Sequence, residues 1–111
     1  MTTRIAIVIL ALMGSISCVT GRSARRGGLP PSEVAKLPEP VAEAYTLFAQ
    51  KCSRCHTLSR PLSAGIDDSD HWEKYVGRMR RQRGSGISEA DGDKILKFLK
   101  YYTAQRTGQQ P

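Results

Sequence analysis

No apolar run in this chain is long enough to cross a bilayer. The longest, residues 5–13 (Ile-Ala-Ile-Val-Ile-Leu-Ala-Leu-Met), has nine residues, against the roughly 20 that a spanning helix takes. Strand signals are missing as well, since nowhere do apolar and polar residues alternate over a strand's length. No segment repeats. Histidine is scarce at two and cysteine at three. A four-ligand zinc site would therefore have to use Cys52, Cys55, His56 and His71, with Cys55 and His56 adjacent and strained as joint ligands. There is no Ser/His/Asp arrangement, no phosphate-binding glycine loop and no carboxylate pair with a local signature, so no such residue set suggests catalysis. The acidic stretch Asp67-Asp68-Ser69-Asp70 lacks the Gly and Glu of a calcium loop. It reads as a solvated loop ending in a helix cap.

What is present begins with an export signal. Arg4 supplies a positive start, residues 5–13 an apolar centre, and Gly14, Ser15 and Ser17 the small residues that precede cleavage. Residues 1–17 thus read as a secretory signal peptide. Cys18 follows at once, in a setting similar to a bacterial lipobox except that Ser15 stands where Leu is usual. Cleavage before Cys18 would let its thiol carry a diacylglycerol and anchor the protein to a membrane. Ordinary cleavage after Ser17 or Ala24 is the competing expectation. Residues 18–38 are rich in Gly, Pro and Arg without a sustained amphipathic period and are expected to be a flexible linker. About 20 such residues have a root-mean-square span of roughly 25 Å.

Cys52-Ser53-Arg54-Cys55-His56 is the decisive motif. C-x-x-C-H is the attachment signature of c-type haem. Two thiols two residues apart can each add across one vinyl group of a single porphyrin, and the next imidazole is then carried under the iron as proximal ligand. A thioredoxin-like dithiol would need a βαβ context that is missing here. Export agrees with haem, because bacterial c-type haem is attached outside the cytoplasmic membrane. Cys52 and Cys55 are thus the covalent haem residues and His56 an axial iron ligand. Cys18 is left without a partner in an oxidising compartment.

The folded part, residues 39–103, is predicted to be an all-α domain. Helix spacing of Val41, Ala44, Tyr45, Phe48 and Cys52, with Pro40 in the first turn, predicts a helix near 40–52. Residues 57–69 carry no period and are expected to be a loop. A second helix is predicted from His71 to about Gln82, capped by Ser69 or Asp70. Gly84-Ser85-Gly86 breaks the chain. A last helix opens with Ser88 as N-cap and Asp91 three residues later, its apolar stripe being Ile95, Phe98, Leu99 and Tyr102. The polar residues from Thr103 are expected to fray, with 104–111 a disordered tail. So small a domain buries little surface, and a buried porphyrin would supply apolar volume.

The second axial ligand has two candidates, Met79 and His71. At 100° per residue Met79 lies about 20° from Trp72, 40° from Tyr75 and 60° from Val76, on the stripe expected to face the core. His71 lies about 80° from Met79 at the helix start, where a polar side chain usually meets solvent.

The motif Cys52-x-x-Cys55-His56, followed by Trp72-x3-Val76-x2-Met79, Gly86-Ile87, Asp91 and Ile95-x2-Phe98-Leu99, resembles the small single-haem class I cytochromes c that serve as electron-transfer subunits or partners of bacterial dehydrogenases. The resemblance covers about residues 41–102. It implies haem on Cys52 and Cys55, His56 and Met79 as axial ligands, and first and last helices that cross and pack together. The implied function is single-electron transfer between redox proteins. The alternative is a haem-based sensor or haem enzyme whose sixth ligand can be displaced. The formal charge of +7 suits acidic redox partners, with Arg78, Arg80, Arg81 and Arg83 around Met79, and Lys94, Lys97 and Lys100 repeating along the last helix. Arg54 and Arg60 are candidate partners for the haem propionates. Export argues against nucleic acid as the partner of this basic chain.

Overall fold

The computed structural model describes residues 27–109. The signal sequence, Cys18 and residues 18–26 of the expected linker lie outside the described residues. Every regular element among those described is helical. The elements are α1 (Pro31–Val34), α2 (Glu39–Cys52), α3 (Ser59–Leu62), α4 (Ser69–Arg80) and α5 (Glu89–Thr107). None is long and apolar enough to cross a membrane.

Local chemistry sets the helix starts. Pro40 sits in the first turn of α2, where its missing N–H costs nothing. Ser88 and Asp91 form a reciprocal capping box on α5: the Ser88 hydroxyl accepts from the Asp91 amide at 3.1 Å, and the Asp91 carboxylate accepts from the Ser88 amide at 3.0 Å. The cap of α4 is Asp68, whose carboxylate accepts from the Asp70 amide at 3.1 Å. That is one or two residues earlier than the Ser69 or Asp70 expected from sequence.

The core forms where α5 meets α2 and α4, the most extensive helix contacts among the described residues. Phe98 is fully buried at the centre, with Phe48 at 4.9 Å and Tyr45 at 5.0 Å between ring centroids. One α5 residue thus meets two successive positions on one face of α2. The ion pairs Glu43–Lys94 and Lys51–Asp91 lie about two turns apart on α2 but within one turn on α5. The two helices pack together around Phe98. On the other side α4 runs antiparallel to α5: Trp72 meets Thr103, Glu73 meets Lys100, and Val76 lies against Gly92.

Three segments differ from the sequence expectation. Residues 27–38 do not hang free: α1 lies here, Leu29, Val34 and Leu37 pack on the core, and the Leu29 amide donates to the Tyr45 hydroxyl at 2.9 Å. Three apolar residues spaced along a Pro-rich stretch suffice for that docking. Residues 57–69 contain α3 and bury Leu58, Pro61, Leu62 and Ile66. The polar tail does not fray at Thr103, because α5 continues to Thr107 and ends on Gly108 in the left-handed conformation (φ 69°). Thr103 is buried, accepting from the Trp72 indole at 2.8 Å and donating to the Ile66 carbonyl at 3.3 Å.

Candidate haem-binding site

Helix α2 delivers Cys52 as its last residue, with Ser53 as cap, and the chain then turns through Cys55 and His56 into α3. The two thiols are unlike. Cys52 is half-buried, Cys55 is exposed, and both are free. Burial, then the neighbouring Cys55, pushes the Cys52 thiol up to about 11, so it stays neutral at neutral pH. Among the described residues no group of three or more His, Cys, Asp or Glu side chains converges as a metal site. The Cys52/Cys55/His56/His71 zinc arrangement is therefore not assembled.

His56 is half-buried and its Nδ1 lies 2.9 Å from the Thr57 carbonyl oxygen. A proton on Nδ1 satisfies that contact and leaves Nε2 as the ring's lone-pair nitrogen. This is the arrangement in which a ligating imidazole has its tautomer fixed by a backbone carbonyl.

Helix α4 forms the facing wall. Trp72 and Val76 are buried in the core, and Tyr75 packs on the core's edge with its ring 5.5 Å from Trp72. Burial chiefly, then the nearby Cys52, raises the Tyr75 phenol above its ordinary value, while Arg60 and Arg78 lower it. Met79 is one turn beyond Tyr75 on the same helical face. It is half-buried and stands outside the core cluster that Trp72 and Val76 complete. Its face was expected to be wholly core; the C-terminal turn of α4 instead leaves the thioether at the core's margin. His71 is exposed in the first turn of α4, at the opposite end from Met79.

A clasp that sequence reading missed fixes the motif against α5. Lys51 donates to the Gly86 carbonyl at 2.7 Å and pairs with Asp91 at 3.2 Å, both side chains half-buried. Arg54, between the two cysteines, donates to the Ser85 carbonyl at 3.4 Å. Gly86 adopts φ 61°, and a Cβ there would fall 2.5 Å from the Arg54 guanidinium. The left-handed φ favours glycine here, and a side chain would also displace the Arg54 guanidinium from the clasp. Basic residues flanking the motif were the available signal, but their partners lie more than 30 residues away in sequence. Arg60 lies near Tyr75, whose phenol it lowers.

The acidic stretch 67–70 is also accounted for: Asp68 caps α4 and Asp67 pairs with Arg106 at 2.6 Å. A separate groove of about 440 Å³ runs between residues 29–37 and the end of α5, lined by Leu29, Leu37, Tyr101, Tyr102 and Arg106 among others. It includes none of the motif residues.

No protein-family model, no curated protein and no solved structure matches this chain.

Proposed function

We propose that this protein is an exported monohaem c-type cytochrome that carries single electrons between redox proteins, without a catalytic reaction of its own. The observation that carries the reading is the C-x-x-C-H motif presented at the end of α2 with the His56 Nδ1 on a backbone carbonyl. Cys52 and Cys55 would hold haem covalently, and His56 Nε2 and the Met79 thioether would ligate its iron. The bound haem supplies one-electron exchange between ferric and ferrous iron. The chain's own part is to hold the two ligands. The Thr57 carbonyl orients His56, the Lys51 and Arg54 clasp fixes the motif to the start of α5, and the Trp72–Thr103 bond fixes α4. An imidazole and an attachment turn held in this way would move little on one-electron exchange, which would favour fast electron transfer.

One observation favours a second reading. Met79 lies outside the core cluster, so packing alone does not lock its thioether in place, and a displaceable Met79 would make the protein a ligand-binding sensor or haem enzyme.

The test is expression with an export signal in a host that attaches c-type haem. Haem staining on denaturing gels is expected for wild type and lost in the Cys52→Ala/Cys55→Ala double variant. Equal staining in both would falsify covalent attachment. Met79→Ala is expected to lower the potential and admit CO readily. Ferrous wild-type protein that binds CO as fast as this variant would favour the sensor or enzyme instead.

A further inference from the structure

Lysine and arginine total 17 against 10 acidic residues, but the cations are not equally available to a partner. Along α5, Lys94 is bound to Glu43 at 3.0 Å and Lys100 to Glu73 at 2.6 Å. Lys51 is held by Asp91, Lys36 by Glu33 and Arg106 by Asp67. Arg54 is turned onto the Ser85 carbonyl. The lysine row that looks most regular in sequence is therefore largely neutralised within the molecule.

The arginines around Met79 are different. Arg78, Arg80, Arg81 and Arg83 are all exposed, and none forms an ion pair among the described residues. Three of them rest on the scaffold. Arg78 lies over the Tyr75 ring at 5.7 Å, Arg80 runs along Gly92, and Arg81 folds back beside Gly77. Gly92 matters here, because a Cβ at that position would sit 2.9 Å from the Arg80 side chain. Supported guanidiniums lose less freedom on binding than freely moving lysines do. Each presents a planar fork that matches a carboxylate.

We infer that this arginine cluster, and not the α5 lysine row, is the surface on which a carboxylate-rich redox protein docks. The inference rests on the haem reading above, because it is the position of the cluster around Met79 that would bring such a partner to the haem edge. Anionic lipid is the poorer fit. The apolar side of α4 is buried as Trp72 and Val76, so the helix has no exposed apolar face to insert, as an interfacial helix needs.

The experiment titrates ¹⁵N-labelled holoprotein with a deca-glutamate peptide at low ionic strength, and separately sediments the protein with phosphatidylglycerol/phosphatidylcholine vesicles. Peptide shifts are expected at residues 78–83. Arg78→Gln/Arg81→Gln/Arg83→Gln is expected to weaken binding about tenfold, from roughly 0.5 kcal/mol for each exposed charge lost. Lys94→Gln/Lys100→Gln, which removes cations already paired with Glu43 and Glu73, is expected to weaken it clearly less than the arginine variant does. The Arg→Lys triple variant keeps the charge but loses the fork, and is expected to fall between wild type and the glutamine triple. Binding should also weaken as salt screens the surface. The inference is overturned if the lysine variant weakens binding as much as the arginine variant, if the shifts lie elsewhere, or if vesicles bind while the peptide does not. Haem staining of the same preparation separates the two failures, since loss of covalent haem would sink the cytochrome reading without altering the peptide result.

Discussion

Thr103→Val is the sharpest test of how α4 is held in place. Thr103 is 6% exposed and Trp72 1% exposed, and the indole N–H donates to the Thr103 hydroxyl at 2.8 Å. Valine replaces that hydroxyl with a methyl of nearly equal volume, so no cavity opens, and valine and threonine differ little in helix propensity. The Ile66 carbonyl loses its bond from Thr103 but keeps the Arg106 guanidinium at 2.9 Å. The cost therefore falls on the indole N–H, left buried without an acceptor, at about 1–3 kcal/mol. For a domain of this size that lowers Tm by about 4–8 °C for each kcal/mol. Urea unfolding of holoprotein followed by circular dichroism would measure it, with the dependence on urea unchanged if only native stability moves. Thr103→Ser keeps the acceptor and should cost about 0.8 kcal/mol for the lost methyl. A valine variant within about 0.5 kcal/mol of wild type, inside the usual range of surface substitutions, would refute the reasoning.

Further outcomes follow from other contacts. Tyr45→Phe removes the acceptor of the Leu29 amide and is expected to cost about 1 kcal/mol; hydrogen exchange at Leu29 should speed up, and unchanged exchange would mean that the amide has another partner. The Ser88 backbone, then Lys51 and the Ser88 side chain, hold the Asp91 carboxyl below its ordinary value. Because the folded value is the lower one, this stabilisation is complete above about pH 4 and is lost as pH falls through the folded value. The stability gap between wild type and Asp91→Asn should accordingly close on acidification, and a gap independent of pH would show that the carboxylate charge contributes nothing. For Cys18, native protein is expected in the membrane fraction with a lipid-modified N-terminus, since two acyl chains anchor stably where one does not. A soluble protein that starts beyond Cys18 would exclude the anchor.

Which parts were legible in the sequence follows from how local their physics is. The start of α5 could be read because Ser88 and Asp91 satisfy each other within one turn. Helix α2 could be read because Pro40 and a regular apolar stripe mark it. The four residues of α3 are too few to show a period, so Leu58, Leu62 and Ile66 looked like loop residues although all three are buried. Residues 27–38 carry the composition of a linker, and nothing local reveals that Leu29 will find Tyr45 sixteen residues on. Thr103 looked like the start of a polar tail because its partner is Trp72, 31 residues earlier. At the proposed site, the expectation for Cys52, Cys55 and His56 rests on their spacing alone. The Lys51 and Arg54 clasp was not, since its acceptors are backbone carbonyls, which have no sequence signature.

The core and the motif divide the work between them. The buried cluster is built from α2, α4, α5 and residues 58–66. Cys55, His56 and Met79 lie outside it, and Cys52 only touches its edge. Residues that stand outside a core contribute little to its stability, so nothing in the packing demands thiols, an imidazole or a thioether at these four positions. A half-buried methionine at the margin of a core exchanges readily for other apolar residues, and an exposed cysteine in an exported protein carries a risk of unwanted disulfides. The clasp points the same way. Lys51, Arg54 and the left-handed Gly86 hold the C-x-x-C-H turn to the segment leading into α5 through polar contacts, which fix the shape of the turn. On the proposed cytochrome reading, a porphyrin held by both thiols and by His56 would be what requires the turn to keep that shape.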